Sequence, residues 1–131
     1  MSVLADTSAW IEYLRDTSST ACEAVDRLLR AGKLVITDVV AMELLVGARD
    51  DADERRLEAL LATAQAAPVI PEDWRAAARL QRRCRARGET VRRSTDCLIG
   101  AVALRVGVPV LHADADFEVL ARHTTLRTVT G

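Results

Sequence analysis

Aromatic side chains are scarce: one Phe, one Tyr and two Trp among 131 residues, although half the residues are hydrophobic. A core must therefore be built from Ala, Val, Leu and Ile, a composition that favours helices packed on a sheet. Cysteine is also sparse. Cys22, Cys84 and Cys97 are too few and too scattered for a disulfide framework or a thiolate metal site, and buried, reduced thiols are expected instead. His112 and His123 are too isolated to suggest zinc, and Lys33 is the sole lysine. No apolar run reaches membrane-spanning length and no leader pattern precedes the first apolar segment, so a cytoplasmic protein with no membrane contact is expected.

What is present starts with size: 131 residues fit one domain, 1–131. The formal net charge of -1 hides an uneven distribution. Eight arginines fall between Arg75 and Arg93, where Glu89 is the single acid. Such a basic stripe is either a polyanion-binding surface or a solvated helix face.

Val3-Leu4-Ala5 reads as a buried strand that stops at Asp6, with Thr7 or Ser8 capping a helix to about Arg15 whose Trp10, Ile11 and Leu14 point inward. A second helix spans Ala21 to Ala31, Leu34 to Ile36 is a strand, and a third helix runs from Val39 to about Val46. At about 100° per residue Val39, Met42 and Val46 share one face, with Glu43 at its edge. Asp53 is placed as the cap of a fourth helix to about Gln65, Pro68-Val69-Ile70-Pro71 as a minimal strand, and Pro71 also as the start of a fifth helix ended by Gly88. Ser94 or Thr95 caps a sixth helix, Asp96 to Val106, apolar nearly all round and so central. Val110 to His112 is another strand, Phe117 to Arg122 a short helix, and Leu126 to Val129 an edge strand. Strands separated by helices throughout predict an α/β fold with a central parallel sheet flanked by helices.

Four acids stand out. Asp6 and Asp114 follow strands, Asp96 lies in the first turn of the apolar helix, and Glu43 sits against an apolar arc where an isolated charge is costly. The carboxyl edge of such a sheet is where ligands bind. Two carboxylates about 5 Å apart repel by roughly 3 kcal/mol at an effective dielectric of 20, and a hard divalent cation relieves that repulsion. Oxygen ligands with water left in the shell suit Mg²⁺ or Mn²⁺. Each acid taken singly also fits helix capping or the helix dipole, and Thr7 and Ser8 either cap or orient the first carboxylate or a phosphate.

Asp6-Thr7-Ser8, Glu43 in Ala41-Met42-Glu43-Leu44, Asp96 in Thr95-Asp96-Cys97-Leu98-Ile99-Gly100-Ala101, and His112-Ala113-Asp114-Ala115-Asp116-Phe117 together resemble the acidic motifs of PIN-domain ribonucleases. The similarity is greatest to VapC toxins of bacterial VapBC toxin-antitoxin pairs, and it covers nearly the whole chain. It implies a PIN-like fold and a Mg²⁺-dependent endoribonuclease that cuts structured or transfer RNA with a metal-activated water, held in check by a VapB-type antitoxin. On the same basis Asp6 and Asp96 are direct metal ligands, Asp114 completes the site, Glu43 acts mainly through water, and Asp116 is a further candidate; whether Asp114 or Asp116 lies nearer the metal stays open. Arg92 and Arg93 are the expected RNA-phosphate contacts. A homodimer is the expected assembly.

Other readings fit less well. A receiver-like signalling domain needs a lysine late in the chain, and a haloacid-dehalogenase-type phosphatase needs an aspartate where Ser8 stands. The alternative kept from another class is a PIN-like module that binds RNA or protein without cutting.

Overall fold

The computed structural model describes residues 1–130. Five parallel strands form one sheet in the order β3-β2-β1-β4-β5: β1 is Val3–Ala5, β2 Leu34–Ile36, β3 Gln65–Ala66, β4 Val110–Leu111 and β5 Thr128–Val129. The three inner strands are wholly apolar and buried, as a sheet covered by helices on both faces requires. Strand order turns at β1, which has β2 on one side and β4 on the other, so Asp6 emerges at the switch point. Its backbone N–H still donates to Leu111 O across 3.0 Å.

Among the described residues seven helices cover the sheet: α1 Thr7–Leu14, α2 Thr20–Arg30, α3 Asp38–Val46, α4 Asp51–Leu61, α5 Pro71–Ala86, α6 Ser94–Val106 and α7 Asp116–His123. α6 is the central one. Its residues Asp96 to Ala103 are all buried, and a Cβ at Gly100 would make ordinary contact with Leu126 Cδ2 at 3.4 Å and Leu120 Cδ1 at 3.6 Å. Gly107 ends α6 with φ of 76°, a left-handed turn that side-chain-bearing residues resist. Trp10 and Phe117 are the largest fully buried side chains, each contributing about 1.5–3 kcal/mol relative to exposure. Among the described residues no helix is long and apolar enough to cross a membrane.

Several local expectations are corrected. Asp6, rather than Thr7 or Ser8, caps α1 by accepting from Ala9 N, and Asp50, rather than Asp53, caps α4, because each lies one residue before its helix where the side chain folds back on the free amides. α6 begins after Arg93 with no side-chain cap, so Ser94 and Thr95 lie inside the helix. The strand expected over Pro68–Pro71 falls at Gln65–Ala66: prolines lack the amide a ladder needs. Leu14 is 43% exposed, and α3 turns Val39, Val40 and Leu44 inward while Met42 and Val46 face outward. Glu43 thus lies in the middle of the inward arc rather than at its edge.

One buried charge is tied outside the acidic edge. Asp73, 1% exposed, accepts from Arg105 Nε at 3.0 Å, Arg105 Nη2 at 3.1 Å and Ile70 N at 2.9 Å, while Arg105 Nη2 also donates to Pro68 O. These bonds clamp the start of α5 to the end of α6. At the opposite end Glu89 holds the loop before α6 against α7; hydrogen bonds from Arg122 and then His123 pull its carboxyl down to about 2.

Candidate active site

Four elements deliver acids to the carboxyl edge of the sheet: β1 carries Asp6, α3 Glu43, the first turn of α6 Asp96, and the β4–α7 connection Asp114 and Asp116. Asp96, Asp114 and Asp116 each offer an oxygen within 4.8 Å of the others. Asp6 joins them electrostatically. Asp96 feels its charge alongside those of Asp114 and Asp116, though desolvation by burial is the larger cause that pushes the Asp96 carboxyl up to about 7. Burial likewise raises the Asp6 carboxyl, against the lowering effect of hydrogen bonds from Ser8 and Ala9 N.

Arg92 and Arg93 lie among these acids. Arg93 Nη2 donates to Asp114 Oδ2 at 3.0 Å, its Nε stands 3.6 Å from Asp96 Oδ2, and Arg92 Nε donates to Asp116 Oδ2 at 3.3 Å. The charges of Asp96, Asp114 and Glu43 all favour the Arg93 cation. Five carboxylates and two guanidiniums leave the cluster formally three charges negative. Asp96 Oδ2 is buried with no hydrogen-bond partner, a costly condition for a native carboxylate oxygen.

The neutral side chains here orient the acids. Ser8 Oγ, 2.8 and 2.9 Å from the two Asp6 oxygens, donates to that carboxylate and accepts from Ala113 N at 2.9 Å, tying β1 to the Asp114 loop. Thr7 Oγ1 donates to Glu43 Oε1 at 2.7 Å, joining α1 to α3. His112, 3% exposed, accepts from Asp114 N at Nδ1 across 3.2 Å. A backbone amide only donates, so Nδ1 is unprotonated and Nε2–H donates to Glu118 Oε1 at 2.8 Å, an oxygen that also accepts from Thr128 Oγ1. Asp114 Oδ1 in turn accepts from Asp116 N at 2.9 Å.

All seven residues singled out from the sequence therefore meet at one edge, with Asp116 rather than Asp6 in the tight carboxylate triple. Ser8 orients Asp6, one of its two anticipated roles. The Thr7–Glu43 bond and the His112 tether were missed, because they join residues 36 and 2–6 positions apart through side-chain directions that periodicity does not encode.

A family model described as PIN domain matches residues 3–123. The chain belongs to the PIN-domain family. Within it, the sequence is 46% identical over 128 residues to Ribonuclease VapC11 of Mycobacterium tuberculosis, covering 95% of this chain and 96% of that protein. Ribonuclease VapC51 of the same species is 31% identical over 121 residues, covering 87% and 88%. Among solved structures, VapBC2 from Rickettsia felis bound to a DNA fragment from their promoter superposes with a TM-score of 0.79 at 14% identity, covering 98% of each chain, a likeness of fold. The expected α/β PIN fold and the VapC resemblance are thus both met.

The donor set of this PIN domain fits a hard divalent cation. Three oxygens lie within reach of one another, one buried Asp96 oxygen accepts no hydrogen bond, and no sulfur or imidazole nitrogen belongs to the triple.

Proposed function

We propose that this PIN domain is a divalent-metal-dependent endoribonuclease, acting in the cytoplasm as the toxin of a VapBC-type pair. The observation that carries the reading is the carboxylate triple Asp96, Asp114 and Asp116, whose buried Asp96 Oδ2 accepts no hydrogen bond and has only the more distant Arg93 charge at 3.6 Å. Asp96, Asp114 and Asp116 would hold Mg²⁺ or Mn²⁺, and Asp6 would add charge and an oxygen from the switch point. When bound, such an ion lowers the pKa of water and stabilises charge on a phosphodiester during in-line displacement. Thr7 holds Glu43 in place so that Oε2, the oxygen Thr7 does not engage, can accept the proton lost by the attacking water. Once the acids are neutralised, Arg92 and Arg93, with side chains 74% and 54% exposed, turn from carboxylates to RNA phosphates. No nucleophilic side chain is needed. The choice of RNA over DNA rests on the ribonuclease names of the 46% and 31% identical relatives, and structured or transfer RNA is the proposed target.

Control by a VapB-type antitoxin is supported by the VapBC assembly among the structural neighbours. A groove of about 740 Å³ between α1, α3 and α4, with Ile11, Leu44, Leu57 and Leu60 along it and Glu43 at its wall, offers an apolar bed leading to the acids. An antitoxin Arg or Lys takes the position among them that Arg93 shows a guanidinium can occupy. The homodimer uses the outward face of α3, where Met42 is 56% and Val46 82% exposed.

Cleavage of transfer RNA by purified protein, with and without EDTA, tests the activity. Mg²⁺ or Mn²⁺ is required, and Asp6→Asn and Asp96→Asn each abolish cutting. Undiminished cutting in EDTA, or wild-type rates from either variant, refutes the reading.

A further inference from the structure

The acidic edge repels the polyanion it is proposed to cut, and Arg92 and Arg93 alone leave that edge net negative, so further cations are needed to hold RNA. α5 supplies the opposite sign. Arg75, Arg79, Arg82, Arg83, Arg85 and Arg87 are all exposed, and none pairs with a carboxylate among the described residues. At about 100° per residue Arg75, Arg79 and Arg82 form the outermost stripe, while Trp74, Ala78, Gln81 and Arg85 lie along the flank beside it.

That flank borders a cavity of about 190 Å³ with Trp74 and Leu98 among its walls and Ser94 and Thr95 at the end nearest Asp96. Gln81 closes its floor, accepting from Ser94 Oγ at 2.9 Å and donating to Val91 O at 3.0 Å. Trp74 is 63% exposed, whereas the other tryptophan, Trp10, is completely buried. A lone exposed indole is ordinary on a protein surface; one that walls the same recess as Ser94 and Thr95 and is flanked by unpaired guanidiniums is not.

We propose that this face of α5 is the RNA platform of the PIN domain: Trp74 stacks an unstacked base over the recess, and Arg75, Arg82 and Arg85 hold the adjoining phosphates. The assignment rests on the ribonuclease reading and adds where the substrate lies. Trp74 to Arg85 spans about 16 Å of helix, room for two or three nucleotides. Single-stranded RNA is the occupant that matches, because stacking on an aromatic ring needs a splayed base, which a duplex does not present. Duplex RNA, or a second copy of this chain seated on Trp74, would use the surface differently.

The test uses the full-length Asp6→Asn protein with Mg²⁺ and a 12-nucleotide single-stranded oligoribonucleotide of mixed A and U, read by tryptophan quenching and by anisotropy of an end label. Because Trp10 is buried, quenching reports Trp74. Trp74→Ala weakens binding by about tenfold to a hundredfold, and Trp74→Phe restores most of the anisotropy signal. Replacing Arg75, Arg82 and Arg85 together by Gln flattens the slope of log affinity against log salt by about 2, at roughly 0.7 per phosphate released. Unchanged affinity in Trp74→Ala, equal loss with a duplex of the same sequence, or a loss traced by sedimentation to an altered oligomeric state overturns the platform. Wild-type protein assayed in parallel on transfer RNA keeps the two readings apart: absence of cleavage defeats the ribonuclease assignment, while cleavage with insensitivity of binding to Trp74 defeats only this one.

Discussion

Replacing Asp96 by Asn should make the metal-free protein more stable, by an amount that depends on pH. Burial first, and then the charges of Asp114, Asp6 and Asp116, lift this carboxyl from 3.8 to about 7, against the pull of Arg93. Between those values the folded state binds a proton that the unfolded state has released, so stability falls as pH rises through the window and levels off above it. At 1.36 kcal/mol per pH unit the ceiling is about 4 kcal/mol, and screening at the half-exposed Arg93 rim reduces it to about 2 kcal/mol. Asparagine keeps the volume and removes the titration. Metal-free Asp96→Asn should therefore melt some 5–10 °C above wild type at pH 8 and within about 2 °C of it near pH 4.5. Adding Mg²⁺ at pH 8 should raise the wild-type transition and leave the variant's nearly unmoved, because the cation then lacks its buried oxygen. Calorimetric scans at both pH values, with and without Mg²⁺, decide the matter. A variant less stable than wild type at pH 8, or stabilised by Mg²⁺ as strongly as wild type, refutes the account.

Two further outcomes follow from the hydrogen bonds. His112→Asn keeps an acceptor near the Nδ1 position and should hold Asp114, whereas His112→Gln reaches only toward Glu118 and frees the Asp114 amide; titration calorimetry with Mn²⁺ should show affinity within about threefold of wild type for the first and tenfold to a hundredfold weaker for the second. Equal affinities would remove His112 from any positioning role. Arg105→Ala leaves Asp73 buried without its cation and should cost about 3 kcal/mol in urea unfolding, while RNA cleavage per folded molecule stays at the wild-type rate; a stability loss below about 1 kcal/mol would mean that solvent already screens the pair.

Much of this fold was legible without coordinates because burial writes itself into composition. The apolar runs Leu34–Ile36 and Val110–Leu111 admit few readings other than covered strands, and the nearly all-apolar Asp96–Val106 segment belongs at the centre. The acids were legible for a related reason: a carboxylate inside an apolar stretch needs a partner, so Asp96 and Glu43 drew notice before their surroundings were known. Tertiary structure alone decided which oxygens lie close together. It grouped Asp116 with Asp96 and Asp114 and put Asp6 in the same field, and it placed Arg93 between Asp114 and Asp96. It also rotated the α3 face, keeping Val39 inward but exchanging Met42 and Val46 for Val40 and Leu44, since these are all apolar and only packing against α1, α4 and α6 selects between them. Periodicity states that a residue lies on a face. Which face meets the sheet, and which donor reaches which carboxylate, is set by packing between elements distant in sequence, and that information exists only once the chain has closed on itself.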